Sequence, residues 1–263
     1  MASLRRTWRF PGSGALLRLL SPLALLIVWE VLSRADIVPS DVIAAPSTVI
    51  GAFGSMVWSG ELPHHFWVSL KRAASGLAIG LSVGVSVALL SGLSRVGETI
   101  FDSPMQILRT LPFLAIIPLF ILWFGIGEAA KIALIAFGTT FPVYITLFSG
   151  IRNIDRRLIE VAQTLCLSRL EMIRHVILPG ALPSFFVGLR YSLSISLLAL
   201  VAVEQINTVA GLGFLVNEAR EFMQTEVIVI CLLVYSIFGL LIDGAVRLLE
   251  GRALAWRGSF LNG

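Results

Sequence analysis

The chain has 263 residues, of which 57% are hydrophobic and 14% charged, and its mean hydropathy is +0.90. A soluble domain carries about a quarter charged residues, so this composition belongs to an integral membrane protein and excludes a soluble enzyme or binding module. The net charge of +4 does not mark a nucleic-acid binder, because the basic residues sit at the ends of apolar runs with no aromatic–basic stripe beside them.

Arg5, Arg6 and Arg9 precede a first apolar run, into which Arg18 can snorkel. No small-residue cleavage site follows that run, so it reads as a retained first span over residues 15–33, after a cytoplasmic segment 1–14. Residues 34–72 are rich in turn formers (Pro39, Pro46, Gly60 and Pro63) and read as an extracytoplasmic connection holding small surface helices. The second span lies between Arg72 and Arg95, twenty-two uncharged residues. Within it Gly76, Gly80, Gly84, Ala88 and Gly92 recur every fourth position, a ridge that lets another helix approach closely.

The third span is expected over 110–127 and the fourth over 132–151. Pro112, Pro118 and Pro142 in them free backbone carbonyls and favour interior positions, although simple kinks would explain them too. A fifth span over 184–203 contains Arg190, with Ser192 and Ser196 on one helix face. Residues 204–226 carry four glutamates and a turn at Gly211-Leu212-Gly213 before a sixth span over 227–242, and 247–263 form a tail. With the N-terminus inside, fourteen Lys and Arg residues fall on cytoplasmic segments and five on outer ones, which places both termini in the cytoplasm. Cys166 and Cys231 suit neither a disulfide nor a metal site. His64, His65 and His175 lack acidic or cysteine companions at ligand spacing, so no metal site is expected.

The one long charged, amphipathic island runs from Asp155 to Pro183, on the cytoplasmic side by the same count. It reads as two short helices. Asp155 can cap the first, whose Leu158, Ile159, Ala162 and Leu165 share a face. The break falls at Cys166-Leu167. Ser168 and Glu171 then have the spacing of a capping box, and Pro179 is expected to end the second helix. Such a pair either offers a surface to a soluble partner or lies on lipid.

Glu160, Ala162 and Ile177-Leu178-Pro179 resemble the "EAA" loop of ABC-importer permeases, the cytoplasmic helix pair that docks on the ATPase subunit. Where that pattern has glycine, this chain has Cys166. The resemblance extends over Leu111-Pro112, Ile117-Pro118-Leu119, Leu122-Trp123-Phe124-Gly125-Ile126, Gly150-Ile151-Arg152-Asn153-Ile154-Asp155-Arg156 and His175 to Pro183. Asn217-Glu218-Ala219-Arg220-Glu221-Phe222 is similar to the aliphatic sulfonate branch of the sulfonate, taurine, nitrate and bicarbonate group.

The resemblance implies an all-α integral membrane protein of about six transmembrane helices, with the type I ABC-importer permease fold and a cytoplasmic coupling helix pair. Its permease core would be 73–246, with the coupling loop at 155–183, in a bacterial inner membrane. The implied partners are a second copy of the chain, two cytoplasmic ATP-binding subunits, an extracytoplasmic substrate-binding protein and membrane lipid. The implied coupling residues are Asp155, Leu158, Glu160, Ala162, Leu165, Cys166, Leu178 and Pro179. The chain has no phosphate-binding GxxxxGK[ST] loop and no nucleophile–base set. It is therefore expected to be no enzyme and to bind no cofactor, with ATP and Mg used by the partner ATPase.

An anionic sulfonate needs donors along its path, and Arg190, Ser192 and Ser196 are the nominated lining. The competing reading is that Arg190 snorkels or pairs while the serines pack. Taurine, nitrate, bicarbonate or a thiamine precursor are alternative cargoes within the class. A gradient-driven secondary transporter would need a mid-membrane acidic residue or histidine, and the second, third and fourth spans have none.

Overall fold

A computed structural model describes residues 14–206 and 208–256 apart from 36, 38, 40 and 41. The basic segment 1–13 and the end of the tail, 257–263, lie outside the described residues, as do the side chains of 14–19, 21 and 22. The described residues form helices joined by turns and short loops, with no strand among them: α1 (Gly14–Arg34), α2 (Pro46–Trp58), α3 (Glu61–Leu93), α4 (Arg95–Leu108), α5 (Phe113–Phe124), α6 (Glu128–Arg152), α7 (Arg156–Thr164), α8 (Arg169–Met172), α9 (Leu178–Glu204), α10 (Leu212–Glu221) and α11 (Thr225–Ala253). Four helical bodies among them are long and apolar enough to cross a membrane: α3, α6, the continuous body Arg169–Glu204, and α11.

The core is built on α6. The small-residue ridge of α3 lies on it so closely that a side chain would not fit. A Cβ placed on Gly76 would come 2.6 Å from Ile135, on Gly80 2.5 Å from the Ala136 carbonyl, on Gly84 2.6 Å from the Thr140 carbonyl, and on Gly92 2.9 Å from Ile151. Real Cβ contacts this short do not occur, so glycine is required by space, and the two backbones meet as small-residue ridges allow. Residue numbers rise together along this contact, so α3 and α6 run parallel.

On its other side α6 meets α9 with numbers running in opposite senses. Gly188 faces the Val143 Cα, Ser192 donates to the Thr139 carbonyl at 2.7 Å, and Gly138 faces Ile195. Helix α9 is therefore antiparallel to both α3 and α6. Ser196 completes the triangle by donating to the Ala73 carbonyl of α3 at 3.5 Å.

The parallel pairing fixes what lies between α3 and α6. The chain must return to the starting end over 95–124, yet the third span expected at 110–127 is not one straight helix. Helix α5 has 12 residues, roughly 18 Å at 1.5 Å each, too short for a hydrocarbon core of about 30 Å. Instead α4 and α5 meet at 107° and together make the return. Pro112 explains the break: it has no N–H to continue a helix and pushes Leu111 away from helical geometry.

One end of the bundle carries α7 and α8 and is termed the loop end. The opposite end, where α3, α6 and α10 begin and α9 finishes, is termed the clamp end. There α2 is fastened to α1 by Glu30, whose carboxylate accepts from the Ser47 amide (3.0 Å) and hydroxyl (2.8 Å) and so caps α2 from another helix.

Candidate functional site

At the loop end, Asp155 accepts from the Arg157 amide at 2.9 Å and caps α7. Ser168 and Glu171 form a complete capping box on α8: the Ser168 hydroxyl accepts from the Glu171 amide, while the Glu171 carboxylate accepts from the Ser168 amide at 2.9 Å. Between the helices the chain closes a Schellman turn. The Leu167 amide donates to the Ala162 carbonyl (3.1 Å) and the Cys166 amide to the Gln163 carbonyl (2.9 Å). This turn puts Cys166 in the left-handed region at φ 53°, where a Cβ is disfavoured and glycine is the usual occupant.

The stripe that α7 presents differs from the face expected. Ala162 is 2% exposed and packs inward, whereas Leu158, Val161 and Leu165 are more than half exposed and follow one another at i, i+3 and i+7. Leu170 on α8 is exposed as well. Glu160 lies on α7 and is exposed. Val161 could have been found by the same periodicity, had the helix's other neighbours been known.

Pro179 does not end the second helix. A π-helical turn over Ile173–Ile177 joins α8 directly to α9, with Leu178 and Pro179 in the first turn of α9, so the body runs unbroken from Arg169 to Glu204. A π turn takes in one extra residue and re-aims the backbone bonds, which lets a helix pass a proline that lacks its N–H. The pair is thus the handle of a core helix. It is held to the bundle by Arg169, which donates to the Leu93 carbonyl of α3 at 3.2 Å, beside an ion pair of Arg152 with Glu98.

The residues nominated for the pathway are all bonded to neighbouring helices. Arg190 bonds Glu250 at 2.7 Å and lies 3.3 Å from Asp243, both on α11. Ser192 and Ser196 are buried and spend their protons on carbonyls of α6 and α3. The arginine's charge is met within the protein, and the serines hold helices together at close range, which is the arrangement of the competing reading in which Arg190 pairs and the serines pack.

Sequence reasoning also missed a buried charge clamp at the other end. Arg72, 4% exposed, forks onto Glu128 (Nε–Oε2 2.5 Å, Nη2–Oε1 2.6 Å) and sends Nη1 to Glu204 at 2.8 Å and to the Ala210 carbonyl at 2.6 Å. Glu204 is fully buried. It accepts from Ser69 (2.7 Å), the Gly213 amide (2.9 Å) and the Tyr235 hydroxyl (3.2 Å) as well. The Leu212 amide donates to Ser69 Oγ (2.8 Å) and the Gly211 amide to His65 Nδ1 (2.9 Å). The free amides that open α10 are thus met by side chains of α3 and α9. Five helices meet on one ion network, which was concealed because Arg72 lies 56 to 138 residues from its partners.

A family model described as "Binding-protein-dependent transport system inner membrane component" matches residues 77–254. Among curated relatives, the chain is 41% identical over 242 residues to a protein of Bacillus subtilis (strain 168) named putative aliphatic sulfonates transport permease protein SsuC, covering 92% of this chain and 88% of that one. It is 45% identical over 239 residues to the Escherichia coli (strain K12) protein of the same name, covering 91% of each. It is also 34% identical to the E. coli taurine transport system permease protein TauC, covering 97% and 95%. Among solved structures, a chain of the inward-facing MetNI methionine ABC transporter superposes with a TM-score of 0.62 at 20% identity, over 76% of this chain and 98% of that one. This likeness carries the fold, that of type I ABC-importer permeases. The family match across the helical core, and relatives aligned over nearly their whole length, place this chain in the binding-protein-dependent transport system inner membrane component family, as the permease subunit of an ABC importer.

Proposed function

We propose that this chain imports aliphatic sulfonates across a bacterial inner membrane, with both termini in the cytoplasm. It would work as a homodimer with two cytoplasmic ATP-binding subunits and an extracytoplasmic substrate-binding protein. The cargo assignment is supported by the names of the relatives at 41% and 45% identity, and the orientation by the distribution of basic residues, which stays at thirteen to five when Arg109 is left out of the cytoplasmic count. The observation that carries the coupling role is the capped α7–α8 pair. Both its helices are capped, it exposes Leu158, Val161, Leu165 and Leu170, and its second helix runs without a break into α9.

In this reading the exposed stripe, with Glu160 beside it, seats in a cleft of the ATPase subunit. Asp155 and the turn at Cys166 hold the helix in shape, and Ala162 packs it against the bundle. Closure of the ATPase pair on ATP and Mg moves the handle, and the join at Leu178 and Pro179 passes that motion to α9. The spans then rock between inward-facing and outward-facing states. Hydrolysis belongs to the partner.

The 34% identical taurine permease supports a second cargo, itself a sulfonate bearing an amine. The test is ATP-driven uptake into proteoliposomes holding the whole transporter, with ethanesulfonate, taurine and nitrate as substrates. Sulfonate uptake that ceases in Glu160→Lys, with membrane insertion intact, is expected. Uptake of nitrate but no sulfonate would overturn the cargo, and full uptake in Glu160→Lys would overturn the docking role.

A further inference from the structure

Most cations of this chain that lie along the bundle are already neutralised. Arg72 and Lys131 meet Glu128 and Glu204, Arg152 meets Glu98, and Arg190 and Arg247 meet Asp243 and Glu250. Arg95, Arg156, Arg157, Arg174 and Arg252 form no side-chain bond among the described residues, but all of them lie at the loop end. Arg109 is different. Its guanidinium likewise makes no hydrogen bond or ion pair among the described residues, yet it stands at the break between α4 and α5, part-way through the bundle.

The depth follows from its neighbours. Helix α4 starts level with the end of α6, where Glu98 pairs with Arg152. By Arg109 the chain has climbed to a cavity that it shares with Gly138, Phe141 and Pro142 of α6. Pro142 precedes Arg152 by ten residues, roughly 15 Å along the helix, or about half the thickness of a hydrocarbon core.

That cavity, about 560 Å³, opens at the surface of the chain, where Arg109, Leu114 of α5 and Leu198 of α9 are exposed, and it is apolar apart from Arg109, with Phe113 of α5 also among its walls. Its size suits a small organic ligand. A lone arginine at mid-membrane depth is costly unless something negative answers it.

We propose that this cavity is the transmembrane cargo site, with Arg109 receiving the oxyanion head of an alkanesulfonate and the apolar walls receiving its chain. The inference rests on the sulfonate reading above and adds to it a position and a chemical rule: one negative head and a limit on chain length. A planar guanidinium suits the paired oxygens of such a head. Arg109 is thus a specificity-determining residue, which Arg190, already paired, is not.

The same oxyanion chemistry could come from a lipid phosphate, and the experiment separates the two. The full transporter, with one and the same binding protein throughout, is placed in proteoliposomes, and uptake of methane- through octanesulfonate is measured for wild type, R109K, R109Q and L198W. Co-purification of the ATPase verifies assembly. R109Q should lower uptake by about tenfold or more, as expected for loss of a charged hydrogen bond, and R109K should retain part of it. L198W, which narrows the cavity, should lower octanesulfonate uptake while sparing methanesulfonate.

Wild-type uptake in R109Q, or an equal loss across the chain-length series in L198W, would overturn the proposal. So would a defect in R109Q that follows the anionic-lipid content of the vesicles and not the sulfonate. If R109Q does not assemble, the chain-length profile of L198W decides. Failure of wild type to take up any sulfonate would instead overturn the cargo reading on which the site depends.

Discussion

Replacing Glu204 by glutamine changes one atom at the centre of the clamp. The carboxylate is fully buried and accepts from Ser69, Arg72, the Gly213 amide and Tyr235, all donors. In Glu204→Gln the amide nitrogen must face at least one of those donors, and Arg72, 4% exposed, loses the charge of its buried partner. Breaking a buried ion pair from one side costs about 3–5 kcal/mol, which in a chain of this size lowers the melting temperature by roughly 10 °C. Glu128→Gln is the internal control. That carboxylate is 56% exposed, and Arg72 keeps Glu204 and the Ala210 carbonyl without it, so the loss should be about 1–2 kcal/mol. The assay is thermal aggregation of detergent-solubilised protein followed by size-exclusion chromatography. Equal melting temperatures for wild type and Glu204→Gln, or a larger loss in Glu128→Gln, would refute the reasoning.

Cys166→Gly relieves a left-handed residue at the C-terminus of α7, and should raise stability by up to about 1 kcal/mol with transport retained; a severe transport defect would reveal a role for the thiol. Gly80→Ala places a Cβ against the Ala136 carbonyl, so even this smallest change should lower the yield of folded protein, and Gly84→Leu should abolish it; normal chromatographic profiles for both would contradict the α3–α6 packing. Leu158→Asp with Leu165→Asp adds charge to an exposed stripe and should leave the permease folded but prevent co-purification of the ATPase. Recovery of the intact complex would show that the stripe is not the docking face.

What the sequence disclosed and what it hid have physical reasons. Caps are local, so Asp155, Ser168 and Glu171 announced their roles within three residues. The glycine ridge was equally plain, because a period of four on one helix needs no partner to be seen. Its neighbour was not legible: only the structure shows that α6 answers it in parallel. Proline misled twice in opposite directions. Pro112 breaks a segment expected to be one span, while Pro179, expected to stop a helix, is carried past by a π turn. The charges were the least legible feature. Arg72 was counted with an outer loop and Arg190 with the pathway, because their partners lie 56 to 132 and 53 to 60 residues away respectively. Arg109, counted with an inner loop, carries no such partner among the described residues, and the climb of α4 into the bundle is what gives it its depth.

The central claim, that the α7–α8 pair is where a soluble ATPase subunit seats, can be read from a native probe. Cys166 is exposed beside Leu165, while Cys231, the other cysteine, is fully buried. Maleimide should therefore label the free permease at one position. The rate of labelling is then measured on the permease alone and on the permease saturated with its ATPase, with Cys166→Gly as the blank. Rapid labelling of the free chain and strong protection in the complex are expected; equal rates in both, with the ATPase bound, would show that the subunit seats elsewhere.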